Sequence, residues 1–210
     1  MSHLILLGDS ILDNGAYVRG GPDVLRQVRG KLPINWSATL LAVDGSVTRG
    51  VLDQLERMPT DASHLVVSAG GNDALGASHL LGQSVASVAE AVSLLEVAQA
   101  RFAADYAAML KAVTATGLEI ALCTIYDTPP SGRDYRLIRT ALSVFNDIIS
   151  RAAFSAGRSL IDLRLICADD EDYANPIEPS ERGGSKIAEA IVAWAEDSAS
   201  RENRPAVYAF

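Results

Sequence analysis

The stretch Leu4-Ile5-Leu6-Leu7-Gly8-Asp9-Ser10 sets an unbroken aliphatic run against a glycine, an acid and a serine. Four apolar side chains in succession leave no polar face, which suits a strand buried on both sides. Gly8 stands where the chain has to turn, and Ser10 follows just beyond the carboxyl end of the strand. In open α/β sheets ligands bind in the crevice beyond those ends, so Ser10 is a candidate nucleophile.

Working outward, similar short runs rich in Leu, Ile and Val lie near 38–43, 64–69, 118–125 and 158–163, making five expected strands with 3–7. Helical periodicity separates most of them. Leu95, Ala98, Phe102, Tyr106, Met109 and Val113 recur every three or four residues before Gly117, and Tyr135, Ile138, Leu142, Phe145 and Ile149 do so before Gly157. Ile187, Ile191 and Trp194 mark a last helix, with Ser180 as its N-cap. The aromatic residues of these stripes read as core. Strands alternating with helices, without an Asn-Gly hairpin, predict a parallel sheet covered on both faces. Residues 1–200 are expected to form one domain, and 201–210 an aperiodic C-terminal tail.

The chain has 210 residues, 49% of them hydrophobic, with 18 basic and 26 acidic side chains and a formal charge of −8. A globular protein with no basic block lacks the phosphate-neutralising surface that nucleic acids and anionic membranes require, so neither is an expected partner. Met1-Ser2-His3 passes directly into the first strand without the features of a signal peptide, and Cys123 and Cys167 sit in apolar runs without metal-ligand spacing. A reduced, cytoplasmic protein with no metal and no cofactor is the expectation.

The second strand leads to Asp44-Gly45-Ser46 and the third to Gly70-Gly71-Asn72-Asp73. With Ser10, these loops supply a nucleophile, a backbone amide at Gly45 and a side-chain amide at Asn72. Ester chemistry needs such donors, because the tetrahedral intermediate places negative charge on one oxygen and each preorganised N–H is worth about 2.7–4 kcal/mol. Asp9 and Asp73 read as residues that hold loop backbone, and Asp13-Asn14-Gly15 as an ordinary turn.

These blocks, in this order and at these strand ends, resemble the GDSL or SGNH hydrolases. The resemblance extends through Asn146-Asp147-Ile148-Ile149, Leu160-Ile161-Asp162-Leu163 and Pro179-Ser180 with Gly183-Gly184, nearly the whole chain. It implies a three-layer α/β/α sandwich, flavodoxin-like, with a five-stranded parallel sheet in the order 2-1-3-4-5. It also implies Ser10 as catalytic nucleophile, an oxyanion hole from Ser10, Gly45 and Asn72, and small-molecule ester, thioester or acetylated-sugar substrates.

The chain departs from the family at the block Asp-x-x-His, where Asn175-Pro176-Ile177-Glu178 stands instead. Glu178 replaces the histidine that takes the serine proton. A carboxylate can do so if burial raises its pKa from about 4.3 toward 6–7. His3 and His64 begin strands, roughly 20 Å from the loops at about 3.3 Å per residue, and cannot reach Ser10. His79 lies on the correct side of the sheet and is the alternative base. The acidic run Asp169-Asp170-Glu171-Asp172 lacks calcium-loop spacing and reads as solvated.

Two functions remain open. One is a serine ester hydrolase acting on short-chain acyl esters or acetylated small molecules, with Glu178 or His79 accepting the proton. The other is an attenuated or non-catalytic acyl- or carbohydrate-binding protein on the same fold. A flavin or phosphate binder is disfavoured, since Gly8-Asp9-Ser10-Ile11-Leu12 offers little of the first-loop chemistry those ligands use.

Overall fold

The computed structural model describes residues 1–198 and 206–209. In chain order the elements are β1 (Ser2–Gly8), α1 (Val24–Lys31), β2 (Trp36–Leu40), α2 (Gly50–Leu55), β3 (His64–Ser68), α3 (Gly71–Gly76), α4 (Val88–Ala115), β4 (Glu119–Cys123), α5 (Tyr135–Ser155), β5 (Ser159–Ile161), α6 (Leu163–Ile166), β6 (Tyr173–Asn175), β7 (Glu178–Pro179), α7 (Glu181–Ser198) and β8 (Val207–Tyr208). Among the described residues no helix is long and apolar enough to cross a membrane.

The run Leu4–Leu7 behaves as a doubly buried strand must. Leu4 and Leu6 join Val66, Ala121 and Ile161 on one face of the sheet, beneath α1 and α7, where Val24, Val28, Ile187, Ile191 and Trp194 meet them. Ile5 and Leu7 join Leu65, Val67, Ile120 and Leu122 on the other face, beneath Phe102, Tyr106, Met109 and Val113 of α4 and Ile149 of α5. Each such aliphatic side chain contributes roughly 1.5–3 kcal/mol by leaving water. The two cores are what hold three layers together.

All six strands of the main sheet pair in parallel, in the order β2-β1-β3-β4-β5-β8. The first five follow the expected order. The sixth, β8, comes from the stretch read as an aperiodic tail: Leu160 N donates to Ala206 O and Asp162 N to Tyr208 O, each over 2.8 Å. The rest of that stretch, 201–205 and 210, lies outside the described residues.

The ladder of β2 ends at Leu40, short of the expected 43, because the N–H groups of Leu41 and Ala42 both turn to the carbonyl of Leu6 and break the alternation. An antiparallel pair of β6 and β7 was not expected at all. Its turn is Pro176-Ile177, within the block that differs from the family. Just beyond it, a Cβ on Gly183 would stand 2.1 Å from the Asp172 carbonyl. Glycine is thus needed for the first turn of α7 to rest on the segment that leads into β6.

Candidate active site

The turn Gly8-Asp9-Ser10 is fixed by backbone geometry. Gly8 has φ +131°, and a Cβ there would meet the Ser68 carbonyl of β3 at 1.7 Å, so no other residue fits. Its own N–H and C=O are both taken by the buried side chain of Gln54, at 2.7 Å each. Beyond it, Asp9 O receives Leu12 N and Asp13 N, and Asp9 Oδ1 receives Ile11 N at 3.2 Å. Ser10 is therefore held on a closed turn at the mouth of the sheet.

The second and third loops are stitched to one another. Asn72 Nδ2 donates to Ser46 O over 2.9 Å, leaving the second N–H of that amide for other use. Asp73 Oδ2 accepts from both Thr48 N and Thr48 Oγ1 at 2.9 Å. Asp44 N donates to Asp13 Oδ2, and the Tyr17 hydroxyl to Asp44 Oδ2. Gly45 turns this loop with φ +78°. Asp9 and Asp73 thus hold backbone.

Glu178 opens β7, inside a frame of its own. Asn175 Oδ1 receives Ile177 N, the Tyr126 hydroxyl donates to Ile177 O, and Asn14 Nδ2 donates to Pro179 O. Glu178 is 3% exposed, and its buried Oε2 makes no hydrogen bond of standard geometry. Burial raises its pKa from 4.5 to about 7, opposed by a hydrogen bond from the Ser10 hydroxyl and reinforced by the charge of Asp44. The contact with Ser10 is looser than a hydrogen bond of standard geometry. Asp9 is 2% exposed. Burial pushes its pKa from 3.8 to about 7, with Ile11 N–H pulling down and the charges of Glu178 and Asp73 pushing further up.

Ser10, Asn72 and Glu178, together with Asp9, line one cleft of about 200 Å³. Its remaining wall is largely apolar, including Leu75, Leu81, Leu95, Ala98, Leu142 and Phe145 from α3, α4, α5 and the turn after α3. Among the described residues no basic side chain lines it. Gly45 lies outside that lining, one residue from the Ser46 carbonyl that Asn72 binds. His79 is also outside; it is exposed, with Nδ1 against Gly76 O. His3 and His64 occupy the opposite ends of β1 and β3, bonded to Asp61 and Ser63. Among the described residues no group of three or more His, Cys, Asp or Glu side chains is arranged to hold a metal ion.

One expectation about the surroundings is corrected. The acidic run 169–172 is not uniformly solvated: Asp172 is fully buried, and its Oδ2 receives Lys186 Nζ at 2.7 Å and Asp169 N at 3.0 Å. The chain reverses there to enter β6, and the carboxylate ties that reversal to α7. Arg182 adds ion pairs to Asp169 and Glu171.

Sequence reading missed two supporting residues. Gln54 carried a signal, a polar side chain at a core position of Val51, Gln54, Leu55 and Met58, and a buried amide at such a spacing needs partners. Asn14 read as turn chemistry, and only its burial marks it as a clamp.

Residues 6–203 match the model of the GDSL-like Lipase/Acylhydrolase family. Among solved structures, an extracellular lipase from Streptomyces rimosus superimposes with a TM-score of 0.67 at 16% identity, covering 94% of this chain and 99% of that one. A phospholipase A1 from Streptomyces albidoflavus gives 0.65 at 18% identity, covering 93% and 98%. The acetyl xylan esterase AlAXEase gives 0.68 at 18% identity, covering 92% and 98%. At these identities the likeness is one of fold. No curated protein matches the chain in sequence.

Proposed function

Since the chain belongs to the GDSL-like Lipase/Acylhydrolase family, we propose that it is a serine ester hydrolase in which Glu178 takes the place of the usual histidine. The observation that carries this reading is a buried carboxyl without competing partners, lining the cleft of Ser10 and raised to about 7. An ordinary glutamate would be too weak a base; one titrating near neutrality is matched to taking a hydroxyl proton at physiological pH.

Glu178 accepts the Ser10 proton as Oγ attacks the acyl carbonyl. The oxyanion is met by the backbone N–H of Ser10 and by the Asn72 amide, the expected donors that line the cleft. Glu178 then gives the proton to the departing alcohol, and water, deprotonated by the same carboxylate, releases the acid and restores Ser10. The aliphatic wall of the cleft suits the acyl half of a short-chain ester, or an acetyl group on a small molecule. The lipase, phospholipase and esterase named among the similar folds are ester-cleaving by name, in keeping with this class.

A second reading, an attenuated acyl- or carbohydrate-binding protein, is favoured by one observation: Asn175 stands where the family has its aspartate, and its Oδ1 is occupied by Ile177 N at 2.9 Å. Release of nitrophenol from short-chain acyl esters separates the two. The hydrolase reading expects turnover that Ser10→Ala abolishes and Glu178→Gln cuts by on the order of a hundredfold or more. Equal rates for wild type and Ser10→Ala would leave only the binding reading.

A further inference from the structure

The cleft of Ser10 holds two acids that the mechanism above does not use: Asp127, which pairs with Arg139 at 3.5 Å, and Asp9. Asp9 is at least as enclosed as Glu178, lines the same cleft, and has one hydrogen-bond donor on its carboxyl, Ile11 N at 3.2 Å. Oδ2 lies toward Gly71, where a Cβ would come within 3.6 Å of it. Among the described residues no cation compensates it. The groups that face Asp9 are Glu178 from β7, Asp73 from α3, the Cys123 thiol from β4 and the Tyr126 phenol after β4. Those that face Glu178 are Ser10, Asp44 after β2, and the phenols of Tyr17 and Tyr126. All are acids or neutral hydroxyls.

We propose that Asp9 is the proton-holding partner of Glu178: the two carboxyls share the cleft with Ser10, and Asp9 stays neutral while Glu178 is ionised. The inference rests on the reading of Glu178 as the base. Two buried carboxylates at such a site do not both ionise readily, and the protons leave in two steps that belong to the pair. Glu178 loses its proton first, because the neighbouring Ser10 hydroxyl favours its charged form, whereas Asp9 has only the Ile11 N–H to do so and the charge of Glu178 set against it. The charge on Glu178 then holds the proton on Asp9.

This assignment does something for the reaction. When Glu178 accepts the Ser10 proton, both carboxyls are neutral, and the developing oxyanion meets no opposing charge from either. If Asp9 were also ionised, its charge would oppose both the attacking serine oxygen and the intermediate. Asp9 is thus a positioning residue for charge, and loss of its proton sets an alkaline limit on turnover.

The test uses the whole protein, labelled with 13C at carboxyl carbons, as wild type, Asp9→Asn and Glu178→Gln. Its readouts are an NMR titration and the pH profile of kcat/KM on a short-chain nitrophenyl ester. Asp9→Asn keeps an oxygen acceptor for Ile11 N. The proposal expects a carboxyl titrating well above the ordinary range that is absent in Asp9→Asn and moves down by about one pH unit in Glu178→Gln. It also expects an alkaline fall in kcat/KM in wild type that Asp9→Asn removes. Titration of Asp9 in the ordinary carboxylate range, or a titration point unmoved by Glu178→Gln, overturns it. The NMR readout needs no turnover: an inactive protein with coupled titration would sink the hydrolase reading alone, and an active enzyme with an uncoupled Asp9 would sink only the pairing.

Discussion

The side-chain amide of Asn14 donates to the backbone carbonyl of Pro179 over 3.3 Å, joining the loop after the nucleophile to the strand that carries Glu178. Asn14 is fully buried, and its Oδ1 also receives Val24 N at 2.9 Å, so one side chain fastens β7 to the start of α1.

Asn14→Ala leaves a buried N–H and a buried C=O without partners, each costing about 1–3 kcal/mol. A base displaced by an ångström loses on the order of a hundredfold in rate. The expected outcome is a lower urea midpoint and a fall in kcat larger than any change in KM. Unchanged kcat in a destabilised variant would show that Pro179 is held by other contacts.

Gln54→Leu is nearly isosteric, yet it takes the acceptor from the Gly8 N–H, while the Gly8 carbonyl keeps Val43 N at 3.1 Å. The expected cost is about 1–3 kcal/mol for the N–H left unpaired. Because Gly8 sets the turn that aims Ser10, kcat should fall as well. Thermal unfolding and ester kinetics on the same preparation check both effects.

The outline of the sheet is legible in the sequence because buried parallel strands need unbroken aliphatic runs, and Leu4–Leu7 splits between two cores as that pattern demands. Gly8 is legible for a similar reason: a close approach to β3 leaves one residue type. Other features are not local. β8 is two residues long and exists only through its bonds to β5. The β6–β7 pair is too short for periodicity. Four acids in a row look solvated until the chain reverses around Asp172. In the site, residue types at strand ends announce Ser10, Asn72 and Glu178, but that Gly45 and His79 lie outside the cleft lining depends on loop conformation, which no spacing encodes.

The raised carboxyls also bear on stability. Glu178 moves from 4.5 in the unfolded chain to about 7 in the folded one, so between those values the folded protein binds more protons. Its contribution to stability is therefore present below about pH 4.5 and lost as pH rises through 7. Glu178→Gln, permanently neutral, should raise Tm relative to wild type at pH 8 and leave the difference small at pH 4. A variant less stable than wild type at pH 8 would contradict the buried, uncompensated state of this carboxyl.

Activation of Ser10 by Glu178 is read from the rate at which an alkyl fluorophosphonate labels the protein, followed by intact mass across pH 5 to about 9. The account predicts one adduct on Ser10, forming faster as pH rises through about 7. It predicts much slower labelling in Glu178→Gln without that pH dependence, and none in Ser10→Ala. Labelling of Glu178→Gln at the wild-type rate, with the wild-type pH dependence, would contradict it.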